Sequence, residues 1–305
     1  MPQKPVICLL PLPFDFRRPD FLAFHSRDGQ RLAEKTTSRS ITKGISWDGA
    51  PACLRLVFRK DSVAASLAMD KRAAKNSGIC LERTVRRMLG LDQPIQTFEA
   101  AYAAHPLLGD LITANPGLRV AQTATPFEAL CWAIMGQLVS VHAAIAVRRR
   151  VILACGIRHS SGIWCFPDPA TIAAMEIPSL RACGLSQTKA LSLQTLGNAV
   201  ASGDIPLDGW IEAARLGDLD VTLVQTRLSA IRGIGPWTIS YALLRGFGFL
   251  DGSLHGDVAV RRNLARFLRR ETITEKDTAE WLAAFTPWRA LVASHLWAIQ
   301  MRDGY

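Results

Sequence analysis

A chain of 305 residues is long enough for two domains, or one large one with a substantial core. Hydrophobic residues at 49% and charged residues at 20% describe an ordinary folded protein and exclude a disordered or fibrous one. Lys and Arg outnumber Asp and Glu 36 to 26, and the resulting charge of +10 favours a polyanionic partner, nucleic acid before an anionic membrane surface. No run approaches the ~20 apolar residues that span a bilayer. The stretch Val6–Pro11 reads as too short and too proline-broken for a signal peptide. Seven cysteines are scattered, odd in number and without a CxxC pair. They read as buried free thiols in a reducing cytosol, with no thiolate set for an iron–sulfur cluster. The expected location is therefore cytoplasmic, at the nucleoid if the source is bacterial.

The first part of the chain reads as mixed α/β. Val6–Leu10, Ile45–Trp47 and Leu54–Phe58 run or alternate as strands do, Pro19–Ala23 and Leu81–Leu89 have helical spacing, and Thr36–Lys43 is a polar loop or hairpin. Beyond about Phe98 the apolar residues recur at three and four. Helices are predicted at 97–104, 107–114, 126–136, 139–155, 169–175, 178–182, 186–202, 220–232, 237–247, 257–270, 276–283 and 287–300. The fold class is thus α+β: a small N-terminal domain at 1–96, then a mostly helical domain at 97–305. Arg148, Arg149 and Arg150 read as a solvated helix face, with phosphate contact the minority alternative.

Leu228–Phe247 is the most informative stretch. An amphipathic helix is predicted to end at Gly233, where glycine takes the left-handed conformation of a C-cap. Gly235 allows a tight turn and close approach by another molecule, and Pro236 suits the first turn of a second helix. Such a hairpin, expected over 224–247, aims free N–H groups and a positive helix end at one point, an anion site. A tight helix–helix corner explains the Gly-x-Gly alone equally well. The surroundings favour the anion, because residues 228–270 hold seven arginines against two aspartates. Downstream, Asp257 precedes a helical pattern, where aspartate is a favoured N-cap. A carboxylate fixed at a helix start is also held rigidly, so capping and catalysis are compatible.

Gly-Ile-Gly-Pro-Trp-Thr at 233–238, with Asp257 twenty positions after Trp237, resembles the helix-hairpin-helix (HhH-GPD) DNA glycosylase superfamily, and within it the 3-methyladenine DNA glycosylase II (AlkA) type. Leu12–Phe16, Gly136–Val141, Arg181–Ala190, Pro287–Arg289 and His295–Trp297 match that layout in order. The resemblance implies a small antiparallel sheet with helices for the first domain. For the second it implies two helical subdomains that flip a damaged base out of double-stranded DNA and cleave its N-glycosidic bond. Asp257 would be the catalytic carboxylate, stabilising oxocarbenium-like charge on the sugar. Trp237, Tyr241 and Trp297 would line the base pocket, although core packing accounts for such residues as well. Gly233, Gly235 and Thr238 would hold a phosphate by backbone N–H groups. Gln137 and Leu138 would contact DNA, Leu138 as an apolar wedge; from periodicity alone it reads as a core leucine.

The carbonyls of Ser229, Ile231 and Gly233 would hold a structural sodium or potassium ion, and no other cofactor is implied. Related bifunctional enzymes carry lysine where this chain has Trp237, so the resemblance implies a monofunctional, monomeric enzyme that leaves an abasic site on DNA carrying 3-methyladenine, 7-methylguanine or similar bases. His255-Gly256 departs from the family, which often has proline and a second acidic residue there. His255 either contacts DNA or satisfies its own loop. Two alternatives stay open: a glycosylase for hypoxanthine, uracil or 8-oxoguanine, and a non-catalytic helix-hairpin-helix DNA-binding protein.

Overall fold

The structure, a computed structural model, describes residues 4–302, with side chains through Ile299. Its N-terminal part is a five-stranded antiparallel sheet of β1 (Val6–Pro11), β2 (Glu34–Thr36), β3 (Ser40–Trp47), β4 (Ala50–Phe58) and β5 (Ser62–Met69), in the spatial order β1-β5-β4-β3-β2. Helix α1 (Arg18–His25) follows β1, and α2 (Ser77–Leu89) packs on the sheet. The period-2 pattern of β5 buries Val63, Ala65, Leu67 and Met69 against Leu81, Val85 and Met88 of α2. Thr36–Lys43 is indeed a hairpin, with Thr36 opposite Ile41.

The rest is helical: α3 (Ile95–Tyr102), α4 (Leu108–Ala114), α5 (Pro126–Gly136), α6 (Val141–Cys155), α7 (Pro169–Ala174), α8 (Ile177–Ala182), α9 (Gln187–Ala201), α10 (Leu207–Leu216), α11 (Val221–Ser229), α12 (Pro236–Ala242), α13 (Val258–Phe267), α14 (Glu275–Ala283) and α15 (Arg289–Arg302). Two apolar cores organise them. One gathers α5, α6, α9 and α11, and the other α4, α13 and α15; α12 and its extension contribute to both. Helix α12 continues through a π turn at Leu243–Phe247, a local widening that re-aims Arg245. The strand β5 and the helix α10 have no counterpart among the predicted elements. Helix α11 stops three residues before the predicted 220–232 does, because Ile231 N–H donates to the Leu228 carbonyl at 3.1 Å and the chain turns there.

The sheet is joined to the helices by buried charge, which corrects the reading of Arg148–Arg150 as a solvated face. Lys43 of β3, 1% exposed, donates to Glu34 of β2 and, at 2.8 Å, to Glu128 of α5. Arg148 of α6 donates to Glu128 at 2.8 Å and lies 3.4 Å from Glu34. Arg149 pairs with Asp28 at 2.6 Å, and Arg150 donates to the Cys183 carbonyl at 2.7 Å. Burial alone would raise the Glu34 and Glu128 carboxyls, but Arg148 and Lys43 outweigh it and hold both below the usual carboxylate range. Burial pushes His25 down, so its neutral ring donates from Nδ1 to Glu34 at 3.2 Å. Two carboxylates therefore balance two cations. Beside them, the half-buried Arg87 of α2 donates to the carbonyls of Thr123, Ala124 and Gly246, tying the sheet layer to the π turn.

Removing one member of such a set leaves a buried charge uncompensated. Lys43→Met should lower the unfolding free energy by ~3–5 kcal/mol at neutral pH, read from denaturant melts. Depressed carboxyl values contribute stability that is full above the unfolded carboxyl pKa and is lost as pH falls through the folded values. The wild-type advantage should accordingly shrink on acidification below the ordinary carboxylate range, and a gap that widens there would contradict this account.

Candidate active site

Asp257 is the N-cap of α13, with backbone φ −76° and ψ 123°. Its Oδ1 accepts the N–H groups of Ala259 at 2.9 Å and Val260 at 3.0 Å, the ordinary capping bonds. Two indoles complete the set. Trp297 of α15 donates Nε1 to Oδ1 at 3.1 Å, and Trp237 of α12 donates Nε1 to Oδ2 at 3.0 Å. Oδ1 thus carries three donors and Oδ2 one. Since a carboxylate offers roughly two acceptor directions per oxygen, Oδ2 is the atom left to act on another molecule. The cap reading of Asp257 is satisfied, and its geometry leaves Oδ2 an acceptor direction beyond the cap.

The tryptophans have a second function as walls. Trp237 stands 5.6 Å from Tyr241 between ring centroids, and Tyr241 stands 6.5 Å from Trp297. Tyr241 is buried and both tryptophans are half-buried, so the three predicted pocket residues form one continuous aromatic surface beside the carboxylate. Arg245 lies flat between this wall and the N-terminal part, 5.3 Å from the Trp297 ring and 4.6 Å from Phe24. Its Nη1 donates to the Ala121 carbonyl at 2.8 Å. Burial, with Tyr241 opposing and Arg27 adding to it, pushes the guanidinium down to about 10.

The hairpin is built by one glycine for internal reasons and by the other for an external one. Gly233 has φ +90°, and a Cβ on it would lie 2.4 Å from Ser192 Oγ. Gly235 has an extended backbone at φ −100°, and a Cβ there would meet nothing within 4 Å. The tight turn is therefore made by Gly233, and not by Gly235 as expected from the sequence. Gly235 keeps open the space in front of α12, whose N-terminus has no side-chain cap. Thr238 is buried, with its hydroxyl accepting from Gln137 Nε2 at 2.8 Å, so only its backbone N–H is available for a phosphate.

Gln137 Nε2 also donates to the Gly233 carbonyl at 2.8 Å, which locks the hairpin to the loop after α5. At the tip of that loop Leu138 is 104% exposed with φ +54°, a left-handed conformation costly for leucine. Its exposure rules out the core reading. Lys189 of α9 holds the loop from below, donating Nζ to the carbonyls of Met135 at 3.1 Å and Gln137 at 2.6 Å. The Ile231 carbonyl accepts from Ile234 N–H at 3.0 Å and that of Gly233 from Gln137 Nε2 at 2.8 Å; a carbonyl oxygen has two acceptor directions, so each keeps one for a further partner. His255 Nδ1 bonds Ser253 Oγ at 2.7 Å, and its Nε2 lies 3.7 Å from Glu275, which also approaches Arg261 at 3.3 Å. His255 thus satisfies its own loop, and Glu275 of α14 supplies a carboxylate that local sequence did not reveal.

Residues 131–287, just over half the chain, match the family described as HhH-GPD superfamily base excision DNA repair protein, and residues 11–125 match the AlkA N-terminal domain. The chain belongs to the HhH-GPD superfamily. DNA-3-methyladenine glycosylase 2 of Escherichia coli is 32% identical over 192 residues, covering 62% of this chain and 63% of that protein, slightly less than two thirds of its length. The 3-methyladenine DNA glycosylase of Schizosaccharomyces pombe, solved with abasic DNA, is 26% identical at TM-score 0.56, covering 66% of this chain and 95% of that one. A 3-methyladenine DNA glycosylase from Archaeoglobus fulgidus shares the fold at TM-score 0.80 and 18% identity, over 95% and 97% of the two chains. Asp257, Trp237 and Leu138 all fall inside the HhH-GPD match, whereas Trp297 lies beyond it. Lys189, Glu275 and Arg245 were absent from the predicted site. Lys189 had a sequence signal within Arg181–Ala190 and Arg245 among the arginines of 228–270, whereas Glu275 had none.

The two glycines should respond differently to one added methyl. Gly233→Ala should cost ~1–3 kcal/mol in a thermal or denaturant melt, because the backbone and Ser192 both oppose it. Gly235→Ala should leave stability within ~0.5 kcal/mol of wild type. Equal destabilisation of the two would remove the distinction drawn between them.

Proposed function

We propose that the chain is a monofunctional DNA glycosylase that releases alkylated bases such as 3-methyladenine and 7-methylguanine from double-stranded DNA, leaving an abasic site. The observation that carries this reading is Asp257. A helix cap needs only its two backbone donors, whereas this carboxylate is gripped by two further indoles that also form an aromatic wall. A DNA-binding module without chemistry has no use for that arrangement.

The reaction follows from the charge placement. The C1′–N bond breaks with its electron pair leaving on the base, and positive charge builds on the sugar beside Asp257 Oδ2. A fixed anion in a poorly hydrated site stabilises that charge without reorganising. A water oxygen then bonds C1′, and the proton it loses passes to Oδ2. An alkylated purine departs as a neutral base and needs no strong general acid. Trp237 offers no amine for a Schiff base, and Lys189, the lysine nearest the wedge, has its amine committed to two carbonyls. Hydrolysis without strand cleavage is the chemistry these groups support.

Ahead of the carboxylate, the N–H groups at the start of α12 hold a phosphate while Leu138 fills the gap left by the flipped nucleotide. The carbonyls of Ser229, Ile231 and Gly233 would hold a structural sodium or potassium ion beside that phosphate, and the ion takes no part in the bond-breaking step.

Asp257→Asn should lower base release from alkylated DNA by ~10²–10³-fold or more in single turnover, with affinity for abasic-site DNA nearly unchanged. Release within tenfold of wild type would reject the catalytic assignment. Leu138→Gly separates the wedge from the fold. Relief of ~1–2 kcal/mol of left-handed strain offsets ~0.5–1 kcal/mol of added chain entropy. Melting should be unchanged or slightly higher while base release falls. A parallel loss of stability and activity would return Leu138 to a structural role.

A further inference from the structure

Beside Tyr241, the one wall residue that lines it, lies a cleft of about 40 Å³ bounded also by Trp132, Phe24, His25 and Arg27. Its enclosed part has room for a water or one small substituent. Arg27, from the N-terminal part, stacks its guanidinium 4.6 Å from the Phe24 ring and 5.9 Å from Trp132. Stacking fixes the plane of the group and leaves its N–H edge free to donate.

Every carboxylate lining that cavity is already committed elsewhere. Asp28 serves Arg149 and the N–H groups of Gln30 and Leu32, and Glu34 and Glu128 serve Lys43 and Arg148. Arg148, the second arginine in the lining, is itself spent on Glu34 and Glu128, whereas Arg245, between Phe24 and Trp297, has no carboxylate partner among the described residues and repels Arg27. The base end of the site is consequently rich in positive charge and hydrogen-bond donors. It accepts an oxygen readily and opposes an amino group, because two donors facing each other leave both unpaired.

We infer that Arg27 is a specificity-determining residue that donates to a carbonyl oxygen on the flipped base, so that bases with such an oxygen on the edge remote from the sugar are preferred over those with an amino group there. This rests on the glycosylase reading above. Among alkylated purines it favours 7-methylguanine over 3-methyladenine, and it admits hypoxanthine, a neutral base with the same oxygen.

Duplex DNA methylated with dimethyl sulfate carries both 7-methylguanine and 3-methyladenine, so both releases can be followed in one reaction by chromatography of the free bases. Arg27→Ala should lower the ratio of 7-methylguanine to 3-methyladenine release ~10-fold, the size of a lost charge-assisted contact to a base. Arg27→Lys should recover part of the loss, and a hypoxanthine duplex should follow 7-methylguanine. Arg27 is exposed, and a melt of each variant checks that the fold is intact. Equal falls for both bases, an unchanged ratio, or a wild type that releases 3-methyladenine but no 7-methylguanine would each overturn the inference while leaving the glycosylase standing. A wild type that releases no base at all would instead overturn the reading on which it rests.

Discussion

Four N–H donors converge on the carboxylate of Asp257, and they come from three separate elements: α13 itself, the second helix of the hairpin and the C-terminal helix α15. This meeting point ties the element that faces a phosphate to the group that faces the sugar. Trp237 stands directly after the open N-terminus of α12, so a displacement of the hairpin would be felt at Oδ2 through one indole bond. Holding reacting groups to within a fraction of an ångström is a large part of what a protein site contributes to a rate. The tryptophans accordingly cannot be understood only as flat surfaces. A phenylalanine would keep the wall and lose the donor.

The N-terminal sheet is less separate than its sequence character suggests. Lys43, Glu34, Glu128 and Arg148 place two charges on the sheet side and two on the helical side within one buried cluster. Such a set adds little net stability against an apolar core, because desolvation cancels most of the attraction. It is intolerant of misalignment, since any shift strands a charge. His25 at the end of α1 bonds Glu34 of this cluster, and the bonds from Arg87 and Arg245 to backbone carbonyls tie α2 and the π turn to the segment before α5. That is how Phe24 and Arg27, more than two hundred residues from Trp237 in sequence, come to stand behind the base pocket.

The features legible in the sequence were those with short-range causes. Helical spacing, the glycines of the hairpin and the capping position of Asp257 all depend on residues within a turn or two of each other. β5 was missed because Ser-Val-Ala-Ala-Ser-Leu-Ala-Met alternates with side chains too small to stand out as a buried face. Helix α10 was hidden by Pro206 and Gly209, which read as loop residues. The misreading of Arg148–Arg150 has a geometric cause. Three consecutive helical residues are spaced about 100° apart and cannot share one solvent face, so at least one must turn inward. Leu138 could not be placed by periodicity, because a leucine after a buried helix reads the same whether it ends inside or out. Arg27 was beyond reach altogether, its neighbours Trp132 and Tyr241 being assembled only by the tertiary fold.

On the glycosylase reading, the site has a direction. Asp257 puts negative charge at the sugar end, and Arg27 and Arg245 put positive charge at the base end. Breaking a C1′–N bond moves electrons from sugar to base, so this polarity is aligned with the charge that develops in the transition state. Its value differs between substrates. A neutral base departs with gathering negative charge, which the arginines stabilise more in the transition state than in the bound substrate, and that difference accelerates the step. A cationic base loses its charge as it departs. The same arginines oppose its binding but are relieved as the bond breaks, which again lowers the barrier from the bound state. The arrangement thus suits bond breaking in both classes, and discrimination by the exocyclic group falls on binding, where a carbonyl oxygen facing Arg27 offsets the repulsion and an amino group does not.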